Sequence, residues 1–461
     1  MARLLLDRGP LKRLLPLAAF LLLPSPALAA ADPVLSGLVE QSLAARPEIQ
    51  RAELLVRAQR ERAPQVGALP DPRIQLGLQN EGLSRVDEVQ IMASQSFPWS
   101  GIRELRREVV ELGAAEALAG NARLRLDAEA EVRRNYLELL LARDRRGLLD
   151  QLEAVWQKSL GVARVRYEAG AGAQSDVLRA QLELHRIGLR RTTLQAEERA
   201  RLQALNRLRA QPLDTPIETT LRIRDLEAPP SLEAAFLPER ALERSPERAA
   251  ALLGITRGER ETTLAEKGAY PELTVGGGVM VRGLMPPMWL VTLGSTLPVY
   301  GESKTDRAVA ESGLRTQAVK KEIEALEQLL RLRSAERRTA AQALLETIDL
   351  YARGLLVQSQ ATTESTLSQF QIGKVSFASV LEANAGFIAD QEGDLQARAA
   401  LQRLVIAEDE VSLLPVAMPS AAVGGGASMA GGGMEAAPAA RAAGAAAAVE
   451  ASPAASGMGA M

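Results

Sequence analysis

Hydrophobic and polar positions change period several times along the chain. From about Leu35 to Arg62 the apolar residues fall at helical spacing, with Glu40, Arg46, Glu48, Arg51 and Glu53 between them. That predicts a helix ending before Pro64, since a proline ring cannot extend a helix cleanly. Leu69-Pro70-Asp71-Pro72 breaks the pattern. Arg73 to Gln79 then alternates strictly, with Ile74, Leu76 and Leu78 on one face. After a short loop, Glu81 to Asp87, a second alternating run from Glu88 to Phe97 puts Val89, Ile91 and Ala93 on one face. Alternation of period two predicts strands. Past Pro98 and Gly101 the steps become three and four: Ile102, Leu105, Val109, Leu112, then Val132, Tyr136, Leu139. The chain holds 24 prolines, yet none falls between Trp99 and Gln211 or between Val299 and Leu414. Such spacing, rich in Ala, Leu, Arg and Glu, predicts helices packed in the manner of coiled coils. A helix from about Ile102 to Glu168 is on the order of 100 Å long at about 1.5 Å per residue. Its return, from Asp176 to about Arg209, is roughly half that length. The missing length matches the N-terminal helix, so two shorter helices are expected end to end beside the long one.

The turn between long helix and return is Arg166-Tyr167-Glu168-Ala169-Gly170-Ala171-Gly172. Ser175 is the expected N-cap of the return, and Asp176 lies in its first turn, where the helix dipole favours an anion. A second turn of the same kind is Phe370-Gln371-Ile372-Gly373-Lys374-Val375-Ser376. Tyr167 answers Phe370, Gly170 answers Gly373, and Val177-Leu178 answers Val380-Leu381. The correspondence extends further. Ser245-Pro246-Glu247 answers Arg46-Pro47-Glu48, and Pro271 answers Pro72, opening a strand with Leu273, Val275, Gly277, Val279 and Val281 on one face. Trp289, Val291 and Leu293 share a face of a fourth strand. Pro98 and Gly101 reappear as Pro298 and Gly301 at the exits from strand to helix. Matched positions are 199 to 203 residues apart, which marks a duplicated unit of helix, two strands, long helix, turn and helix. The expected fold is mixed and mainly α. Residues 30–210 form the first repeat, 211–230 a proline-rich linker, and 231–414 the second repeat. Residues 415–461, dominated by Ala, Gly and Met, read as a disordered tail.

Residues 1–29 carry a different signal. Arg3, Arg8, Lys12 and Arg13 precede an apolar run from Leu14 to Leu23, and Ala27-Leu28-Ala29 supplies a cleavage site. This predicts a cleaved secretory signal, the run being too short and too broken by Pro16 to span a bilayer. Its removal takes the formal charge of −2 to about −5, an acidic balance that argues against nucleic acid as partner. With no cysteine, the chain has neither a disulfide framework nor a site for N-terminal lipid attachment. Its single histidine, His185, sits among Glu183 and Arg186 as a surface residue, so the usual zinc and copper ligand sets are absent.

Four strands of about ten residues have the length a tilted strand needs to cross a bilayer. Four cannot close on themselves, and an unpaired strand edge in lipid is prohibitively costly. Copies of the chain must therefore complete a barrel. Two would give eight strands with a plugged interior, and three would give twelve with room for a pore.

The two turn segments, the exits Pro98–Gly101 and Pro298–Gly301, and the duplicated order resemble the TolC family of outer-membrane efflux channels over residues 32 to 414. Arg166-Tyr167-Glu168-Ala169-Gly170, followed by Asp176-Val177-Leu178-Arg179-Ala180-Gln181, carries the most specific part of that resemblance. It implies a homotrimer whose twelve-stranded transmembrane β-barrel continues as a periplasmic α-helical barrel. It further implies partnership with a periplasmic adapter protein and an inner-membrane pump, in a chain located in the outer membrane and binding no cofactor. The helical tips, with Arg166, Tyr167, Gly170, Asp176, Phe370, Gly373 and Ser376, are implied to contact the adapter. The pore constriction, where the family places acidic residues, falls on Ser379 and Glu382. Leu69-Pro70-Asp71-Pro72 and Ser94 to Gly101 are similar to the branch serving heavy-metal pumps.

The chain shows no chemistry of an enzyme. Gly301-Glu302-Ser303-Lys304-Thr305 lacks the spacing of a phosphate loop, and no Ser-His-Asp set or Gly-x-Ser-x-Gly motif occurs. Methionine is the one soft ligand left. Met280, Met285 and Met288 cluster around the second strand loop, and Met418, Met429, Met434, Met458 and Met461 lie late in the chain. The sequence points to an outer-membrane exit duct, with heavy-metal cations as the expected cargo. Alternatives are a channel of the same fold for organic compounds or for type I protein secretion, and, from another class, a soluble periplasmic coiled-coil adapter.

Overall fold

The computed structural model describes residues 32–79, 88–282 and 285–416. The expected signal at 1–29, the loop at 81–87 and almost all of the expected tail lie outside the described residues. The first repeat runs α1 (Pro33–Ala45), α2 (Pro47–Gly67), β1 (Arg73–Gln79), β2 (Glu88–Phe97), α3 (Ile102–Glu168) and α4 (Gln174–Leu208). The second runs α5 (Leu232–Ala235), α6 (Pro238–Arg244), α7 (Pro246–Glu266), β3 (Leu273–Arg282), β4 (Met285–Ser295), α8 (Asp306–Leu350), α9 (Leu356–Gln371) and α10 (Phe377–Asp409). Both alternating runs of the first repeat are strands with the bounds their periodicity gives.

The single helix expected over 35–62 is corrected in two respects. It breaks at Arg46, whose extended backbone precedes Pro47 at the first position of α2, where the missing N–H costs nothing. It then continues through Pro64 to Gly67. Pro64 lies in the last turn, so only one intrahelical bond is lost before the helix would end anyway.

The four strands form one antiparallel sheet in the order β1-β2-β3-β4. Its registers sort the side chains cleanly. Leu76 lies opposite Ile91, Ile91 opposite Val279, and Val279 opposite Trp289. In the next row Ile74, Ala93, Gly277 and Val291 stand in line. All the apolar positions predicted for the four strands therefore share one face. That face is bare within the chain, with Ile74 78%, Trp289 83% and Val291 82% exposed. The other face carries Gln75, Gly77, Gln90, Ser94, Ser96, Thr274, Gly276, Gly278 and Thr292, with Ser96 and Thr274 hydroxyls 3.2 Å apart. Both β1 and β4 are edges without a neighbour in the sheet. Because each strand pair enters from a helix and exits into one, every helix adjoins the same end of the sheet. Met280 lies near the end of β3, and Met285 and Met288 near the start of β4, on the two sides of the strand connection as expected.

The long helix α3 is flanked first by α2, then by α1, then by α4, as the length argument requires. Arg125 of α3 reaches Glu53 of α2 at 2.7 Å, Tyr136 donates to the buried Asp32 that caps α1, and Arg191 of α4 reaches Asp150 at 2.8 Å. In the second repeat α7 and α10 flank α8 and α9 in the same way. The core runs along these seams through Leu38, Leu140, Leu152, Trp156, Ile187 and Ile406. Matched positions drift from 200 apart at Gly101/Gly301 to 203 at Gly170/Gly373. The second repeat carries π turns at Gly301–Thr305 and Tyr351–Leu355 where α3 is unbroken, and a π turn is how a helix absorbs an inserted residue.

The repeats are also fastened to one another. The linker is packed, with Ile217 and Ile223 buried. The N–H of Ile223 donates to Asp144 of α3 at 2.7 Å, and Gln402 of α10 donates to the carbonyl of Glu227 at 2.9 Å. Nearby, Glu408, Asp409 and Glu410 at the end of α10 each meet arginines of other helices. Arg337 donates to Glu408 at 2.8 Å, Arg133 to Asp409 at 3.0 Å, and Arg134 and Arg123 flank Glu410. Burial pushes the Glu410 carboxyl above its ordinary range, against the opposing pull of Arg134 and Arg123.

Candidate functional site

The two helical turns end their helices by one motif. At the first, the N–H of Gly170 donates to Tyr167 (3.0 Å) and that of Ala171 to Arg166 (2.8 Å). At the second, Gly373 donates to Phe370 (3.1 Å) and Lys374 to Gln369 (2.9 Å). These are the paired bonds of a Schellman cap, whose pivot needs a left-handed backbone. Gly170 and Gly373 supply it at φ 69 and 78. Restart differs from expectation at the first turn. The N-cap of α4 is Ala173, so Ser175 already lies inside the helix and caps nothing. Asp176 does fall in the first turn. At the second turn Ser376 is the N-cap of α10, its hydroxyl 3.4 Å from that of Ser379.

The structure brings the two turns together through Arg166. Its guanidinium donates to the carbonyls of Phe370 and Ala171 and lies over the Phe370 ring, 4.7 Å from the centroid. A Cβ at Gly373 would stand 3.2 Å from Arg166 Nη2, so the glycine also makes room for the clasp. Phe370 packs on Phe377 with centroids 5.4 Å apart and is only 3% exposed. Phe370 is thus a packing residue joining the turns, and it also lines the open groove beside them. Tyr167, at the matched position, is 46% exposed. Phe377 was not singled out by the sequence, because its counterpart in the first repeat is Gln174 and the repeat comparison is silent there. Arg166, Gly172, Asp176, Arg179, Phe377 and Ala378 line an open groove between the turns. Ser379 and Glu382 lie in the first turns of α10, Ser379 half-buried and Glu382 exposed.

The strand exits are alike in sequence and unlike in structure. Gly101 caps α3 at φ 82, beside Lys267. Lys267 donates to the carbonyl of Ser100 at 3.3 Å, and Trp99 stacks on Tyr270 with centroids 5.1 Å apart. Gly301 instead opens a π turn without a positive φ, and Val299 and Tyr300 beside it lie exposed. Pro98 directly follows β2, and Pro298 lies three residues past the end of β4, both ahead of these turns.

Among the described residues no helix is long and apolar enough to cross a membrane, and no group of His, Asp or Glu could hold a metal ion.

Residues 38–211 match the model of the outer membrane efflux protein family, a span covering most of the first repeat. No curated protein matches the chain in sequence. The fold is similar to that of the outer-membrane channel OprN, at 20% identity over 82% of this chain and 90% of that one, with a TM-score of 0.69. It is similar to CusC at 16% identity, over 82% and 91% of the two chains, with a TM-score of 0.68. It is likewise similar to the open state of the MtrE outer-membrane channel of Neisseria gonorrhoeae, at 16% identity over 83% and 89%, TM-score 0.66. The described chain thus has the fold of these outer-membrane channels, and its first repeat carries the outer membrane efflux protein signature.

Proposed function

We propose that this chain is an outer-membrane efflux channel that works as a homotrimer, the exit duct of a tripartite system fed by an inner-membrane pump through a periplasmic adapter. The observation that carries this reading is the sheet. It has one bare apolar face, one polar face and two unpaired edges, and all its helices adjoin one end. Lipid against the apolar face and further copies against both edges would satisfy every part of it. Trp99, Tyr270 and Tyr300 lie at the helix end of the strands, where aromatic rings suit a bilayer interface. The paired tips are the proposed adapter surface, with Tyr167 and the groove beside Arg166 as contacts. Ser379 and Glu382 are the proposed constriction. Three Glu382 carboxylates around one axis would attract cations and repel anions.

The proposed cargo is heavy-metal cations, on the strength of Leu69-Pro70-Asp71-Pro72 and the Ser94–Gly101 segment. The test has two parts. Extracted in detergent, the protein should run as a trimer and form cation-preferring channels in a planar bilayer, and Glu382→Ala should weaken that preference. A detergent-independent soluble monomer would overturn the channel assembly. A deletion strain should then be sensitive to copper, silver, zinc or cobalt. Sensitivity confined to dyes and antibiotics would transfer the cargo to organic compounds.

A further inference from the structure

Among the described residues methionine occurs only as Met92, Met280, Met285 and Met288; the sheet sets Met92, Met280 and Met288 on its polar face, with Met285 just past a register shift in the β3–β4 pairing. Met280 stands directly opposite Met288 across β3 and β4. Met92 lies opposite Gly278, one diagonal step from Met280, and Met285 lies opposite Arg282. Direct neighbours on a sheet face have Cβ atoms about 5 Å apart and diagonal ones roughly 7–8 Å. The unbranched methionine arm is long and flexible enough to close such gaps, so the sulfurs of Met92, Met280 and Met288 can meet on one ion. Apart from Leu290, the remaining positions of this face are polar, charged or glycine. Met92, Met280 and Met288 are therefore not part of the apolar band, and water offers them no packing reason to gather. Nor is an oxygen or imidazole set at hand that would suit a hard or borderline metal.

We propose that these thioethers form a binding site for a soft monovalent cation, copper(I) or silver(I). The site lies toward the strand ends remote from the helices. Its placement on a channel wall rests on the function proposed above, whereas the site itself is a property of the sheet. Neutral thioether ligands match soft ions and, lacking charge, hold them weakly enough to release, as a conduction path requires. Arg282 borders the site. Its guanidinium touches the Met288 sulfur and reaches toward Glu88 at 3.9 Å, so an ion on Met288 displaces Arg282 toward that carboxylate.

Silver(I) is the probe, titrated into the purified full chain in detergent by calorimetry, with X-ray absorption of the copper(I)-loaded protein alongside. The variant Met92→Leu/Met280→Leu/Met285→Leu/Met288→Leu keeps volume and apolarity, so the fold is retained. It should lose one class of silver sites, or weaken it at least tenfold, together with the sulfur shell of copper(I). A chain with Leu at the five late methionines, 418, 429, 434, 458 and 461, should keep that class. Unchanged silver binding in the sheet variant would overturn the site, as would its absence from the chain altered in the tail. Bilayer conductance measured in parallel separates this proposal from the one above. Silver binding without conductance sinks only the channel, and conductance without methionine-dependent binding sinks only the site.

Discussion

Ala210 and Val411 occupy the same left-handed backbone, φ 53 and 54, at the ends of the two returning helices α4 and α10. Each completes the paired bonds seen at the tips: Gln211 donates to Asn206 at 2.9 Å, and Ser412 to Ala407 at 2.9 Å. Glycine serves this pivot at the tips, but these two residues carry side chains that cost on the order of 1–2 kcal/mol there. Ala210 is exposed, so Ala210→Gly should be neutral or stabilise by up to about 1 kcal/mol. Val411 is 1% exposed, and its burial is worth roughly 1.5–3 kcal/mol. Burial outweighs the strain, so Val411→Gly should destabilise by about 1–2 kcal/mol. Denaturant unfolding reads the two signs, and a shift of both variants in one direction would contradict this account.

The clasp at the tips makes a second prediction. Arg166→Ala removes two donors and a cation over Phe370, while leaving the Schellman caps intact. Amide exchange over residues 369–374 should quicken about tenfold, the equivalent of about 1.4 kcal/mol of local opening. Arg166→Lys should recover little, since a point charge cannot reach both carbonyls as the planar fork does. Wild-type exchange rates in the alanine variant would mean the turns hold together without Arg166.

Gln75 and Leu76 are adjacent and face opposite sides of the sheet. Leu76→Arg should cost about 2–4 kcal/mol of membrane insertion near mid-bilayer, and Gln75→Arg should insert normally. Heat-stable oligomer recovered from outer membranes gives the readout. Equal loss in both variants would mean that the two faces are not distinguished by lipid.

Glu410 gives a dependence on pH. Its folded carboxyl is raised above the unfolded value, so its contribution to stability is fully present below the unfolded pKa and lost as pH rises through the folded one. Glu410→Gln removes that contribution. The melting temperature of wild type relative to the variant should therefore rise as pH falls from 7.5 toward 5. A gap that narrows on acidification would show that the ion pairs with Arg134 and Arg123 dominate burial.

How far the sequence reaches depends on how local the deciding physics is. β1 and β2 were legible to the residue because alternation and the flanking prolines are properties of neighbours. The tip glycines were legible as repeated exceptions in long helical text. The clasp was not, because Arg166 and Phe370 are 204 residues apart and meet only once two hairpins lie side by side. The break at Arg46 and the passage through Pro64 show the ambiguity of proline, which opens one helix and is tolerated in the last turn of the same element. Met280, Met285 and Met288 were read by nearness along the chain, which set them beside the strand loop and left out Met92. Register, a cross-strand property, brings Met92 to Met280 and Met288.

The sheet order has a consequence for inheritance. With every helix at one end, two copies can pair antiparallel only by setting β4 of one against β1 of the next, because joining like edges would invert one copy. Growth is head to tail, and the proposed ring closes only when each copy offers both edges. A copy crippled at β4 alone still presents a sound β1, so it enters the assembly and leaves a gap that no other copy can fill. Such an allele should be dominant over wild type, whereas an allele that prevents folding should be recessive.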